Sequence, residues 1–398
     1  TGYSLTSGKK YAFSTAHGSN SGSTTGTCFF GAHQGGFNYD PPSGFKALSS
    51  RNLPPNVPSI IRPQKHFETL EYTGQNTSSL YNVTGLEFTP DFVWAKTKND
   101  TIGHVMIDTV RGDDRQIQGD VNDAEVLRGT PSYRFLKDGF AVSTGGNLNN
   151  PVNYVASCWK AGGPAVTNTD GTISAQVSAN VEAGFSIMKY TVPSGGGGTV
   201  GHGLSKQPEI QWSKNLDKSQ DTSVQFNSRT PLTGFTNDDN MYMFLNTTAA
   251  KGDTSQYFTA TTNRNPEGSV HAGDSIINYT WHSVPGYSRI GHFMGNNSTD
   301  GPFIYCGFRP AWIMWKRWNG TENWVIVTNK QSPINPVDLF LRTDEVATES
   351  NGAATCDFVS NGFVQRGGNI SGAGETVIFA AFAEAPTNNL FGGQANAR

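Results

Sequence analysis

The sequence predicts an all-β protein whose main part is three tandem β-sandwich-like modules of about 100 residues each. Three observations lead there. The first is composition: 46 glycines in 398 residues, with 35% hydrophobic and only 15% charged residues, suit short strands joined by many turns. Long amphipathic helices want more Ala, Leu, Glu and Lys than this. The second is a repeated phrase. "GLEFTPDFVWAK" (Gly85 to Lys96) returns as "GLSKQPEIQWSK" (Gly203 to Lys214), and a shortened copy reads "GFRPAWIMWK" (Gly307 to Lys316). The spacing from Pro90 to Lys96 is kept from Pro208 to Lys214 and from Pro310 to Lys316. The third is that each copy has matching flanks, so the repeated object is a module and not a motif.

Taken in order, residues 1–50 form a separate segment unlike the modules, and 51–66, rich in proline, read as an extended linker. The modules occupy 67–163, 184–286 and 287–386, with a linker at 164–183 and a tail at 387–398. Each module opens on a short alternating strand ("FETLEYT" from Phe67, "FSIMKYT" from Phe185, "RIGHFM" from Arg289) that runs into a Gly/Asn/Ser turn. Each closes on an apolar strand ("YVASCW" from Tyr154, "NYTWHS" from Asn278, "IFAAFAEAP" from Ile378). Modules one and three carry a "GF" phrase before that strand, at Asp138–Val142 and Asn361–Gln365, for which module two shows no substitute.

Within the phrase, Ile210 and Trp212 alternate with Glu209, Gln211 and Ser213, which predicts a half-buried strand. Pro208 starts it, where a missing donor is tolerated, and Gly85 and Gly203 fit the preceding turn. "AWIMWK" is apolar on both faces. This predicts cover from a neighbouring module or subunit, and makes Trp312 and Trp315 candidate subunit contacts.

Several functions are disfavoured. The net charge of −3 gives no basic footprint for nucleic acid. No apolar run approaches a membrane span, so no membrane insertion is expected. The chain starts "TGYSLTSGKKYAF", without Met and without an apolar signal core, which predicts processing or a missing N-terminal part. Cys28, Cys158, Cys306 and Cys356 form no CxxC pair; Cys158 and Cys306 lie in apolar runs and read as buried small hydrophobes, pointing to a reducing compartment.

No catalytic, cofactor or metal residue is assigned, and no cofactor is expected. The eight histidines include no pair at i and i+4, so there is no HExxH-type site. His202, in "TVGHGLSK", reads as part of a turn, and "SGGGG" (Ser194 to Gly198) as a hairpin loop. The acidic pairs Asp113/Asp114 and Asp238/Asp239 fall in polar loops, and the RGD at Arg111 to Asp113 is a tripeptide that chance supplies. Asn319-Gly320 predicts a type I′ hairpin flanked by Trp318 and Trp324. An aromatic at a hairpin tip can stack on a sugar or a partner, so Trp318 and Trp324 are the candidate receptor or glycan contacts; the alternative is that both fill their module's core.

The chain resembles a family of tailed-bacteriophage virion proteins in which a SPRY-like (concanavalin-like) β-sandwich precedes repeated β modules. The resemblance rests on "FNYDPPSGFKALSSRNLP" (37–54), "YVASCWKAGG" (154–163), "TNTDGTISAQVSANVEAGFSI" (167–187), "TVGHGLSKQPEI" (199–210), "STDGPFIYCGFRPAWIMWKR" (298–317), "NPVDLFL" (335–341), "SNGF" (360–363) and "IFAAFAEAP". It implies that 1–50 is the remnant of a SPRY-like domain. It also implies a non-enzymatic structural protein on the phage particle surface: a tail fibre, a head fibre or a capsid decoration. Expected partners are other virion proteins and a host surface glycan, with homo-oligomerisation, preferably as a trimer. The alternatives are a carbohydrate-binding module array of a secreted bacterial protein and a tailspike-like glycan hydrolase.

Overall fold

The computed structural model describes residues 58–387, except 130–131, 228–240, 254–257, 260, 265–270, 367–371 and 373. The segment 1–50, Cys28, the pair Asp238/Asp239 and all of the tail but Thr387 lie outside the described residues. The described chain is all-β; its one helical element is a single 3-10 turn, Pro63–Lys65.

One order of four strands recurs three times. In each repeat an opening strand pairs with the closing strand, which pairs with the strand of the repeated phrase (the core strand), which pairs with a return strand. The opening strands are Phe67–Thr73, Phe185–Thr191 and Ser288–Met294. The core strands are Phe92–Thr97, Ile210–Asn215 and Phe308–Arg317. The return strands are Val105–Asp108, Ser223–Phe226 and Val325–Thr328. The closing strands are Asn153–Trp159, Ser275–Trp281 and Thr376–Pro386. Register is kept as well as order. Phe92 faces Trp159, Ile210 faces Trp281 and Trp312 faces Phe382 across the same antiparallel pair.

Period two along the core strand sends alternate residues to two different interiors. Phe92 and Trp94, Ile210 and Trp212, and Trp312 and Met314 meet in one core shared by all three repeats. There Trp159 of the first repeat lies 6.2 Å from Trp281 of the second and 5.7 Å from Trp312 of the third, ring centre to ring centre. Phe92 stacks on Tyr279 at 4.3 Å, and Trp94 meets Trp212 edge-on at 5.0 Å. Such pairs add about 0.5–1.5 kcal/mol each beyond the area they bury. The opposite faces build separate outer cores. Val93 and Ala95 pack in that of repeat one, and Ile313 and Trp315 in that of repeat three.

A β-sandwich of about 100 residues is expected to enclose its own core, so three modules predict three separate cores, and the shared core corrects this. The core strands are not half-buried: all six residues of Ile210–Asn215 are buried. Gln211 and Ser213 do face away from Ile210 and Trp212, but into a buried polar layer. Gln211 bonds Gln225 at 3.1 Å and Ser213 bonds Asn278 at 2.7 Å. The described part of the 51–66 segment is not an extended linker either. Ile60 is buried in the shared core, and Ser59 N–H donates to Pro285 O at 3.0 Å. The stretch 164–183 contributes two strands, Val166–Asn168 and Ala175–Asn180, to the sheet of repeat two.

The "GF" phrases are strands, Gly139–Val142 and Gly362–Gln365, and Thr262–Arg264 takes their place in repeat two. The first pair of each ladder holds a glycine in all three repeats: Gly139 opposite Thr84, Gly201 opposite Thr262, and Gly362 opposite Tyr305. A Cβ on Gly139 would sit 2.0 Å from Val83 O, and one on Gly362 2.0 Å from Ile304 O, so backbone packs where a side chain would be. Gly85, Gly203 and Gly307 all have positive φ, as the turn before the core strand requires.

Candidate functional site

The tryptophans singled out by sequence are internal. Trp318 and Trp324 are each 1% exposed and belong to the shared core. Trp324 Nε1 donates to Phe244 O at 2.8 Å, and Lys251 Nζ lies 5.4 Å from the Trp318 ring. No ring face is left for a receptor or a glycan, so that reading is corrected. Asn319-Gly320 makes no two-residue hairpin: the core strand ends at Arg317 and the return strand begins at Val325. Trp312 and Trp315 are fully buried. Trp312 meets other repeats of its own chain and Trp315 fills the outer core of its own repeat, which replaces the subunit contact assigned to them. Cover by a neighbouring module, the other half of that expectation, is what the core provides.

What the structure does bring together is the last residue of the repeated phrase. Lys96, Lys214 and Lys316 are 2%, 1% and 0% exposed. Each sits on a core strand that is buried on both faces, which leaves the lysine no route to water. Each ammonium donates to a carbonyl of its own loop, Asp100 O at 3.2 Å for Lys96, Gln220 O for Lys214 and Glu322 O for Lys316. Each also donates across a seam to a different repeat. Lys214 reaches Asn122 O at 3.0 Å, Lys316 reaches Thr248 O at 3.0 Å, and Lys96 reaches Val346 O at 3.2 Å. Three residues beyond each acceptor, a backbone N–H returns the bond to the residue two past the lysine. Glu125 donates to Leu216 at 2.9 Å, Lys251 to Trp318 at 2.7 Å and Glu349 to Lys98 at 2.7 Å. Repeat two thus grips repeat one, three grips two, and one grips three: the linear order of repeats is closed into a ring.

Burial lowers all three lysines from the ordinary 10.5 to about 8, with nearby carboxylates (Asp120, Asp221 and Asp344 foremost) opposing it. Seams carry further buried polar groups. At the seam of repeats one and three, His104 takes Trp94 Nε1–H on Nδ1 at 3.0 Å and lies 2.8 Å from Arg342 O through Nε2; the ring is therefore the neutral Nε2–H form, and burial holds its pKa at about 3. At the seam of repeats one and two, Arg111 pairs with Asp108, both side chains fully buried, and Tyr279 OH donates to Asp108 at 2.6 Å. The arginine of the RGD tripeptide is therefore spent inside the protein.

The described residues hold no group of three or more His, Cys, Asp or Glu placed to bind a metal. His202 is buried and accepts Leu204 N–H on Nδ1 at 3.0 Å, as a turn residue would. Cys158, Cys306 and Cys356 are free and buried.

Sequence reading noted the Pro-to-Lys spacing but gave the lysine no role. The available signal was a lysine next to last in the core strand, at one register in all three copies.

Fold and seams together define a three-repeat, all-β protein closed around one aromatic core. The chain belongs to the DUF7483 family: that family's model, described as a domain of unknown function, matches residues 62–386 and so takes in all three repeats. No curated protein and no solved structure matches the chain.

Proposed function

We propose that this chain is a non-enzymatic structural protein of a bacteriophage particle, a fibre or a capsid decoration, that carries surface loops for assembly and host attachment. The observation that supports this most is the use made of the repeated residues. Lys96, Lys214 and Lys316 bridge the seams, and Phe92, Trp94, Trp212 and Trp312 of the core strands meet in the shared core. A repeated phrase spent on closure suits a scaffold, and variable loops on a rigid scaffold suit recognition. The resemblance in sequence supplies the virion part of the reading.

Antibody-gold labelling of purified particles tests it. Label on protruding fibres or evenly over the head supports a fibre or a decoration respectively. Absence of the chain from purified particles overturns the proposal. Homo-oligomerisation is proposed with it. Since the tryptophans once assigned to a subunit contact are used within the chain, a trimer would have to use other surface, and light scattering of the purified protein reads the mass directly.

A further inference from the structure

Two aromatic side chains stand on the surface of repeat three where repeat one has polar ones. Phe303 and Tyr305 are 49% and 51% exposed, while Ile304 between them is buried in the outer core. Their strand, Phe303–Tyr305, is the last of its sheet among the described residues. Period two puts both rings on one face, with Cα atoms about 6.6 Å apart.

Repeat one supplies the comparison. Gly85 and Leu86 N–H both donate to Asp138 O, at 3.0 Å each, and Cys306 and Gly307 N–H both donate to Asn361 O, at 2.9 and 3.0 Å. Thr84 faces Gly139 as Tyr305 faces Gly362. Asn82 and Thr84 therefore hold the places of Phe303 and Tyr305, and both are exposed. The same strand closes on its outer core without aromatics in repeat one, so packing does not account for the two rings.

The surrounding face is apolar beside the rings and polar at one end. Phe303 lies opposite Val364, and Tyr305 opposite Gly362, which offers bare backbone. On the next strand Asp357 lies opposite Val364 and Val359 opposite Gly362. Arg366 Nε donates to Asp357 at 2.8 Å, and its Nη1 pairs with Asp300, so donors and acceptors are held together beside the Phe303 end. Half-exposed, the two aromatic residues offer roughly 200 Å² between them. A stable protein contact takes about 800 Å² from each partner. The patch is the size of a small ligand. A pyranose carries C–H bonds on its faces and hydroxyl groups around its edge, which matches an apolar platform with polar groups at one side.

We propose that Phe303 and Tyr305 form a stacking platform for the sugar rings of a glycan, with Asp357 and Arg366 meeting hydroxyl groups at its rim. This deepens the attachment part of the proposed function and rests on it for its biological use. Particle labelling reads the place of the chain in the virion, and sugar binding by the purified chain reads the platform, so the two failures are distinguishable.

The test is saturation-transfer NMR on the full chain with cellotetraose, mannotetraose and chitotetraose at millimolar concentration. Transfer to at least one of them is expected, and it is expected to fall about tenfold in the double variant Phe303→Asn, Tyr305→Thr. That variant copies the residues of repeat one at the same register, so its melting temperature is expected to stay close to that of the parent. If it melts lower, Tyr305→Thr alone is compared with Tyr305→Phe; the first is expected to lose transfer and the second, which keeps the ring, to retain it. No transfer from any of the three oligosaccharides overturns the proposal, as does a signal undiminished in the folded variant. A fall in mass by light scattering in the double variant overturns it as well, because the rings would then belong to a contact between copies of the chain.

Discussion

Lys316 Nζ donates to Thr248 O at 3.0 Å, joining the third repeat to the second. The equivalent lysines make the same bond at the other two seams. An ammonium is a costly thing to bury, and it persists where carbonyls surround it. Here the carbonyls come from two repeats at once, so satisfying the lysine and closing the seam are one event.

Lys316→Met keeps the aliphatic stem and removes the donors. Thr248 O and Glu322 O then lose a partner, and the protein is expected to be destabilised by about 1–3 kcal/mol. Urea unfolding measures it; an unchanged midpoint would show that the ammonium contributes nothing to the seam.

The lysines also set a pH dependence. Their folded pKa of about 8 lies below the ordinary 10.5, so between these values the folded state binds fewer protons than the unfolded chain. Stability is therefore expected to rise with pH from about 8 towards 10.5, by at most about 1.4 kcal/mol per pH unit per lysine. Buried thiols and phenols work the other way: burial raises Cys158, Cys306 and Cys356 above 9.0, and Tyr72, Tyr133, Tyr154, Tyr190, Tyr279 and Tyr287 above 10.0, so their contribution is lost as pH climbs past those values. Urea midpoints across pH 7 to 11 should rise from about 8 to about 9, level off, and fall beyond about 10. A steady fall from pH 8 would contradict this assignment.

The pair Arg111 and Asp108 is fully buried at the seam of repeats one and two. Asp108→Asn leaves the guanidinium with Glu125 alone, at 3.4 Å, and is expected to cost about 3 kcal/mol. Tyr279→Phe, which removes one hydroxyl bond to Asp108, is expected to cost about 1–2 kcal/mol. Calorimetry of both variants and their double should show sub-additive losses, since both act on one carboxylate.

Trp318→Ala is expected to lose about 3–5 kcal/mol through the cavity it leaves in the shared core. A melting temperature close to that of the parent would return Trp318 to the surface and reopen its reading as a receptor contact.

Gly362→Ala places a Cβ against Ile304 O and is expected to destabilise repeat three, as Gly139→Ala is in repeat one. Gly352→Ala is the control: its φ is +83 but nothing lies within 4 Å of the added Cβ, so strain acts there without a clash and the loss is smaller. Thermal unfolding of the three variants separates the two effects.

Much of this was legible in the sequence. The all-β class, the opening, core and closing strands, and the turn glycines follow from period-two patterning and from a phrase repeated at constant spacing. Both are local properties that a chain states residue by residue. Which surface each face of a strand would meet was decided only by the tertiary structure. Trp312 and Trp315, three residues apart on one strand, face different cores, and one of those cores is assembled from segments more than 200 residues apart. Trp318 and Trp324 flank what reads as a hairpin tip, but the buried ammonium of Lys316 takes Glu322 O and curls the loop inward, carrying both rings into the core. The ring itself depends on carbonyls that any residue could offer, at Asn122, Thr248 and Val346. A backbone acceptor leaves no trace in side-chain identity, so the sequence determined the repeats and only their packing determined that they close.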